Sequence, residues 1–351
     1  MKSILKSHIA AMSAYSPPLE GRDPDQHLLL DFNERTLPIS KAVEDALVSY
    51  IRSGRIQMYP AYGDITDKIA AYCEVPADQL MITNGSDQGI DLIIRAATDA
   101  GDEAVIPRPS FAIYAQCAKV QDLTIHQPGF TREGGFPLAE CLDAISERTR
   151  LICIANPNNP SGTAVSRAAI ISILEAAPKA AVLVDECYFE YMRETVCDLV
   201  LKYPNLFVTR TFSKTWGIPS LRLGYVISAP CNIQALLNVR GPYDVNQLAV
   251  VAVQAALENP QFMRSYVAEV MDESKALLED FLDQQKIAYW PSAANFLWVF
   301  PRNPADWRDA LFGAGILVRP KEDLKGKCGL RITLGNRQQT ERLLEVIQSV
   351  V

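Results

Sequence analysis

Seven short β-rich runs constrain this chain more than any other feature. They are QLMIT (79–83), EAVIP (103–107), DLTIH (122–126), RLICIA (150–155), AVLVD (181–185), LFVTRT (206–211) and RLGYVIS (222–228). Several are separated by helix-like stretches: GSDQGIDLIIRAAT, SFAIYAQCAKV, FPLAECLDAI and SRAAIISILEAA. Strands joined by crossover helices fit a mainly parallel sheet covered on both faces, because each return of the chain must cross a face. The last two runs are joined by a loop too short for such a helix. At least one of them is expected to run antiparallel. Two helices, at 41–52 and in DITDKIAAYCEV, are expected before the first run.

Past residue 228 the character changes. NIQALLNVR and a long helical run from 247 to 287 follow, and Pro260 is expected to break the long one. Then ANFLWVFP (294–301), DWRDALFGAG, GILVRP (315–320), CGLRITLG (328–335) and RQQTERLLEVIQSV alternate strand and helix in an α+β pattern. With 351 residues, the chain is long for one domain. The expected division is a large domain at 41–255 and a smaller α+β domain built from 1–40 and 256–351.

A formal charge of −7 argues against nucleic acid as the main partner, since phosphate backbones call for a basic face. Eight cysteines form no C-x-x-C pair, and some, such as Cys153 and Cys187, sit in apolar runs. They read as buried free thiols in a reducing compartment. No metal-ligand spacing is present, so no metal is expected. His8, His27 and His126 lie outside every motif, so histidine catalysis is not expected. MKSILKSHIAAMSAYSPP is broken by charge and proline and does not read as a leader. No run approaches 18 apolar residues, so no membrane span is expected and the cytoplasm is the default location.

Four stretches carry chemistry. In TNGSDQGI (83–90) a strand gives way to a helix. Its first N–H groups, with Ser86 and Asp87, can cradle a phosphate or can simply be capped. In ANPNNPSGT (155–163) a rigid turn follows a strand, and Asn159 offers an amide donor at the sheet edge where open α/β sheets bind ligands. Turn chemistry alone also accounts for that stretch. VLVDECYF places Asp185 at the end of an apolar strand. A carboxylate there is costly without a cation or hydrogen-bond donors, although capping of the next turn is the plain alternative. RTFSKTWGIPSLRLGY sets Lys214 among Thr211, Ser213 and Arg222. A desolvated lysine can form an imine with a carbonyl, and hydroxyls with a guanidinium suit a phosphate. Taken alone, Lys214 also reads as a surface lysine.

Taken together, a phosphate cradle, an amide donor, a strand-end carboxylate and an imine-forming lysine are what pyridoxal 5'-phosphate requires. A nicotinamide cofactor is disfavoured, because the strand–turn–helix lacks G-x-G-x-x-G spacing. ANPNNPSGT, VLVDECYF, SKTWGIPSLRLGY, GILVRP and LRITLG resemble the class I/II pyridoxal-phosphate-dependent aminotransferases of fold type I. The branch they most resemble is histidinol-phosphate aminotransferase. The resemblance runs from about Asp31 to the C-terminus.

It implies a fold type I PLP-dependent transferase, an α/β large domain with a mainly parallel seven-stranded sheet and a smaller α+β domain. Catalytic roles are implied for Lys214, Asp185 and Tyr188: Lys214 holds the cofactor aldehyde and shuttles the Cα proton, and Asp185 partners the pyridine nitrogen. Tyr188 and Asn159 resemble donors to the ring oxygen, and Phe111 the ring that stacks on the cofactor. Ser86, Asp87, Thr211, Ser213 and Arg222 resemble the phosphate shell. Tyr59 resembles a tyrosine that reaches the partner subunit's cofactor, which implies a homodimer with shared active sites. Arg331 resembles the substrate-carboxylate clamp, and Asn33 and Tyr15 resemble substrate-facing residues. The segment Glu34-Arg35-Thr36 departs from the Glu-Asn-Pro common in that branch, which leaves Arg35 open as a ligand for an acidic or phosphorylated side chain or as a surface residue.

The implied reaction is transamination of L-histidinol phosphate with 2-oxoglutarate, a step of histidine biosynthesis. An aromatic or other amino-acid aminotransferase and an O-phospho-threonine-type decarboxylase share the fold, and a cofactor-binding scaffold without catalysis stays open beside them.

Overall fold

The computed structural model describes residues 3–351; the first two residues of the N-terminal segment discussed above lie outside it. In chain order the elements that build the two sheets and their covers are β1 (Leu28–Leu30), α1 (Lys41–Arg52), α2 (Ile65–Cys73), β2 (Leu80–Thr83), α3 (Gly85–Ala97), β3 (Glu103–Val105), α4 (Ala112–Val120), β4 (Thr124–His126), α5 (Leu138–Asp143), β5 (Thr149–Ala155), α6 (Arg167–Ala176), β6 (Ala181–Asp185), β7 (Leu206–Thr211) and β8 (Gly224–Ser228). They continue with α7 (Pro230–Val239), α8 (Gln247–Leu257), α9 (Pro260–Ala268), α10 (Lys275–Gln284), β9 (Ala288–Trp290), β10 (Phe296–Phe300), α11 (Pro304–Gly313), β11 (Ile316–Glu322), β12 (Cys328–Thr333) and α12 (Arg337–Gln348).

The seven expected strands form one sheet in the order β2-β8-β7-β6-β5-β3-β4. Neighbours from β7 to β4 are parallel, and β8 runs antiparallel to both β7 and β2. The short Lys214 loop therefore does reverse the chain. Along β6 the side chains alternate between two apolar layers: Val182 and Val184 pack into one, Ala181 and Leu183 into the other. That period of two, buried on both sides, is the signature of a helix-covered sheet. α3 and α4 cover one face with Ile90, Ile93, Ile94, Tyr114 and Ala118. α2, α6 and α8 cover the other with Ile65, Ile69, Ile170, Ile173, Val250 and Val253, and this apolar mass continues into the second sheet through Phe296, Leu297 and Ile332.

The second sheet has the order β1-β11-β12-β10-β9. β1 joins it in parallel with β11, Leu29 opposite Leu317, and the rest is antiparallel. Neither β1 nor β9 was read from the sequence, because three residues carry too short an alternation. The helical run from 247 does break at Pro260, and a π turn over Glu269–Ser274 divides it again. Among the described residues no helix is long and apolar enough to cross a membrane.

Consecutive residues of a strand point to opposite faces, and the end of β6 uses both. Asp185 turns to one side, and Glu186 turns to the other and pairs with Arg210 at 2.8 Å. Both side chains are within 3% of full burial. Glu186 also accepts from the Val196 amide at 2.9 Å, and the Arg210 guanidinium lies 3.7 Å from the Phe189 ring centroid. Removing one member of such a pair leaves a buried charge without compensation. Glu186→Ala is expected to cost about 3–5 kcal/mol in urea unfolding, and replacing both residues with apolar side chains to restore most of it. An E186A chain as stable as its parent would contradict this account.

Candidate active site

The C-terminal ends of β5, β6 and β7 and the start of α3 open onto one cavity. It is lined by Ser86, Asp87, Phe111, Tyr114, Ala155, Pro157, Asn159, Asp185, Cys187, Tyr188, Thr211, Ser213, Lys214 and Arg222. Ten of the sequence-predicted residues thus converge: Ser86, Asp87, Phe111, Asn159, Asp185, Tyr188, Thr211, Ser213, Lys214 and Arg222.

At one end stands an anion cradle. Gly85 opens α3 with φ +74°, and a Cβ there would fall 2.3 Å from Arg222 Nη2, so the missing side chain is what lets the guanidinium lie over the helix start. Gly224 is equally constrained: a Cβ would fall 2.4 Å from the Ser86 amide nitrogen. Arg222 donates to Asp87 Oδ2 at 3.0 Å and to Ser213 Oγ at 3.4 Å, and Thr211 Oγ1 donates to Ser213 Oγ at 2.9 Å. A helix N-terminus, a cation and hydroxyls within one loop suit a tetrahedral dianion. The Asp87 carboxylate is an acceptor that holds Arg222. What Asp87 can give an anion is its backbone N–H, so its side chain serves the cradle by orienting the arginine.

The fully buried Asp185 accepts from Tyr114 Oη at 2.5 Å, Cys187 Sγ at 2.9 Å and Thr209 Oγ1 at 3.0 Å. Burial pushes its pKa up, and these three donors oppose that. No cation pairs with it among the described residues, so it can serve a positively charged ring nitrogen. Tyr188 Oη accepts from Asn33 Nδ2 at 2.9 Å and Asn159 Nδ2 at 3.3 Å. Arg331 donates to Asn159 Oδ1 at 2.6 Å and to the Asp31 carbonyl at 2.5 Å, and its Nε is buried without a partner. Lys214 Nζ donates to the Phe32 carbonyl at 3.0 Å. Burial pushes its pKa down, and the Arg331 charge pushes the same way. It is therefore not the solvated surface lysine that the sequence left open.

A flat aromatic aldehyde carrying a phosphate and a basic ring nitrogen finds a partner here for each group. The donor set fits pyridoxal phosphate. Asn33 and Arg331 stand at the rim through Tyr188 and Asn159.

Three predicted residues lie elsewhere. Arg35 is buried, donates to the Thr215 carbonyl at 3.0 Å and stacks on Phe262 and Tyr266 at 4.5 and 4.1 Å. It is not a surface residue; its aliphatic stem lies against Gly217, and its Nε is buried without a partner. Tyr15 is 44% exposed and lies beside α4, outside the cavity lining but close enough to Arg331 for the two charges to interact. Tyr59 is 78% exposed and stacks on Tyr243 at 4.5 Å. Trp216 is a core residue that donates to Glu190 at 3.1 Å. Cys187, expected in a strand core, is instead a half-buried donor at the turn after β6.

Sequence reasoning missed Tyr114, Cys187, Thr209 and the Asp31 and Phe32 carbonyls. Two of these were within reach. Tyr114 follows Phe111 by three residues at the start of α4, and Thr209 precedes Thr211 by two on β7, on the same strand face.

The sequence pattern described as aminotransferase class I and II matches residues 28–347. A histidinol-phosphate aminotransferase from Limosilactobacillus fermentum is 33% identical, with 96% of each chain covered. Other histidinol-phosphate aminotransferases match at 30–33% identity. The histidinol-phosphate aminotransferase of Sinorhizobium meliloti, solved with pyridoxal-5'-phosphate, superposes with TM-score 0.87 at 22% identity, covering 100% of this chain and 99% of that one. An L-threonine-O-3-phosphate decarboxylase from Porphyromonas gingivalis superposes with TM-score 0.75 at 22% identity, covering 92% and 99%. The fold alone thus accommodates both reactions.

A lysine whose folded pKa lies below its unfolded value near 10.5 loses a proton on folding. Stability then rises with pH from the lowered folded pKa up to about 10.5. In protein freed of cofactor, Lys214→Met should be more stable than its parent, with the urea-midpoint gain shrinking as pH climbs through that window. A gain that does not vary with pH would mean that Lys214 keeps an ordinary pKa.

Proposed function

This chain belongs to the class I and II aminotransferases, and we propose that it holds pyridoxal phosphate in the cavity around Lys214 and transfers the amino group of L-histidinol phosphate to 2-oxoglutarate. The observation that carries the cofactor reading is the pairing, in one cavity, of a half-buried lysine with a buried carboxylate that has donors but, among the described residues, no cation. The substrate reading rests on the curated relatives of 30–33% identity.

The cofactor supplies an aldehyde carbon that takes up an amine and a ring that draws off the electrons left when a Cα–H bond breaks. The start of α3 with Ser86, Thr211, Ser213 and Arg222 would hold its phosphate, and Phe111 would pack on the ring. Asp185, fixed in position by Tyr114, Cys187 and Thr209, would keep a proton on the ring nitrogen. Asn159 and Tyr188 would donate to the ring oxygen. Burial lowers the Lys214 pKa, which favours the free amine that would take up the Cα proton. Arg331 offers its planar fork to the substrate's anionic group.

The division into a domain at 41–255 and one at 1–40 with 256–351 follows the two sheets and remains part of this proposal. So does a homodimer with shared active sites: Ile51, Ile56, Met58, Tyr59 and Tyr243 are all exposed, as a surface awaiting a second copy would be. Eight free cysteines support a reducing, cytoplasmic location.

The purified protein with pyridoxal phosphate should show a visible absorbance band that bleaches on adding L-histidinol phosphate and returns with 2-oxoglutarate. Lys214→Ala should slow this by about 10⁴-fold. Bleaching by phenylalanine or tyrosine alone would move the substrate to that class. Release of carbon dioxide from O-phosphothreonine without bleaching would move the reaction to decarboxylation. Sedimentation should give a dimer, and Tyr59→Ala should weaken cofactor retention without dissolving it.

A further inference from the structure

Arg35 is a buried cation that the chain does not neutralise. It is 9% exposed, and among the described residues no carboxylate comes within ion-pairing distance of it. Its one hydrogen bond runs from Nη1 to the Thr215 carbonyl, and no other donor among the described residues reaches that carbonyl. The rings of Phe262 and Tyr266 on α9 offset part of the cost of burying the charge. An apolar side chain would pack on the same rings at none of that cost. What it could not supply is the bond to Thr215, the residue after Lys214.

Two segments far apart in sequence interlock here. One is the turn after β1, residues 31–36, and the other is the loop after β7, residues 213–217. Lys214 Nζ donates to the Phe32 carbonyl, and three residues on Arg35 donates back to Thr215. Gly217 completes the fit: its φ is +74°, and a Cβ there would fall 2.6 Å from Arg35 Cδ. Arg35 has a fixed base, since the Thr36 amide donates to Tyr266 Oη at 3.1 Å and the Thr36 hydroxyl to Gln339 on α12 at 2.6 Å. Trp216 anchors the loop through Glu190, which follows β6, so that anchor ties it to the large sheet alone. Arg35 ties it to the segment that carries the acceptor of Lys214.

We propose that Arg35 is a positioning residue: by holding the Thr215 carbonyl and the Gly217 turn, it keeps the Lys214 amine on its Phe32 acceptor and away from water. The inference rests on the cofactor reading above and deepens it. Arg35 does not line the cavity and acts through the backbone that follows Lys214. The ionisable groups facing Lys214 are Cys187 after β6, Arg331 on β12, Glu34 after β1 and Asp87 on α3, yet burial is the largest influence on its pKa. A loop released from Arg35 hydrates the amine and lets that pKa climb back toward 10.5.

The test compares the parent with three variants. Arg35→Met keeps the stem and removes the donors, Arg35→Lys keeps a charge and a donor, and Gly217→Ala leaves Arg35 in place and pushes the loop off it. The first readout needs no cofactor. Lys214→Met is combined with each variant, and the urea-midpoint gain it brings is followed with pH. As the folded pKa of Lys214 approaches the unfolded one, less of that gain varies with pH, so R35M and G217A are each expected to remove about half of the varying part. R35K should retain most of it. The second readout is the uptake of pyridoxal phosphate by cofactor-free protein, followed as the visible band across a pH series. Half-maximal uptake should move up by about one pH unit in R35M and G217A and stay near the parent's in R35K. A merely structural role would lower the urea midpoint at every pH and leave both pH dependences unchanged in R35M, and that result overturns the proposal. So does an R35K chain shifted as far as R35M, which would assign the effect to packing on the two rings. Where R35M does not fold, G217A decides on the same readouts. If the parent gains no band with pyridoxal phosphate, the cofactor reading fails by itself, and the first readout still decides on Arg35.

Discussion

Asp185 is the point around which the rest of the cavity is organised. A carboxylate at the end of a central strand, cut off from water, is costly to keep charged. Three neutral donors from three different elements converge on it: Tyr114 from α4, Thr209 from β7 and Cys187 from the turn after β6. They lower the cost without cancelling the charge, and the place of a cation is left to a ligand. β5, β6 and β7 must be in register for this to happen, because Thr209 lies directly opposite Asp185 across β6 and β7. The parallel sheet is thus both the scaffold and the instrument that aims the carboxylate.

The opposite wall comes from far away in sequence. The turn after β1 contributes the Phe32 carbonyl to Lys214, the Asp31 carbonyl to Arg331 and the Asn33 amide to Tyr188. Asn33 adopts φ 56°, a conformation asparagine tolerates better than most residues, and Thr333 and Asn295 hold it from the second sheet. Two sheets and the segment between them are needed to enclose one amine.

Most of the large sheet was legible because buried strands advertise themselves as short apolar runs between helices. All seven were found, and even the reversal at β8 followed from the length of the Lys214 loop. Among the site residues, those in local motifs were legible: the Gly–Ser–Asp helix start, Asn159 in its turn, and Lys214 with Arg222 eight positions on in the same loop. What escaped depends on register and tertiary approach. Tyr114 and Thr209 look like ordinary helix and strand residues until the sheet brings Asp185 between them. Backbone carbonyls such as those of Asp31 and Phe32 leave no trace in residue type at all. The burial of Arg35 escaped as well, because the two aromatic rings and the carbonyl it packs on come from segments far away in sequence. β1 and β9, at three residues each, were below the length at which alternation can be recognised.

The dispersal of the wall has a consequence for how the molecule comes into being. Lys214 leaves the ribosome long before Arg331, and the strand that carries Arg331 is nearly the last to be made. The large sheet brings Asp185 and Lys214 together from residues that are all made early. The Phe32 carbonyl is available from the start, but the turn that carries it is tied through Asp31 to Arg331 on β12. The amine therefore gains its Arg331 neighbour, and a fixed acceptor beside it, only when one of the last segments of the chain has been made.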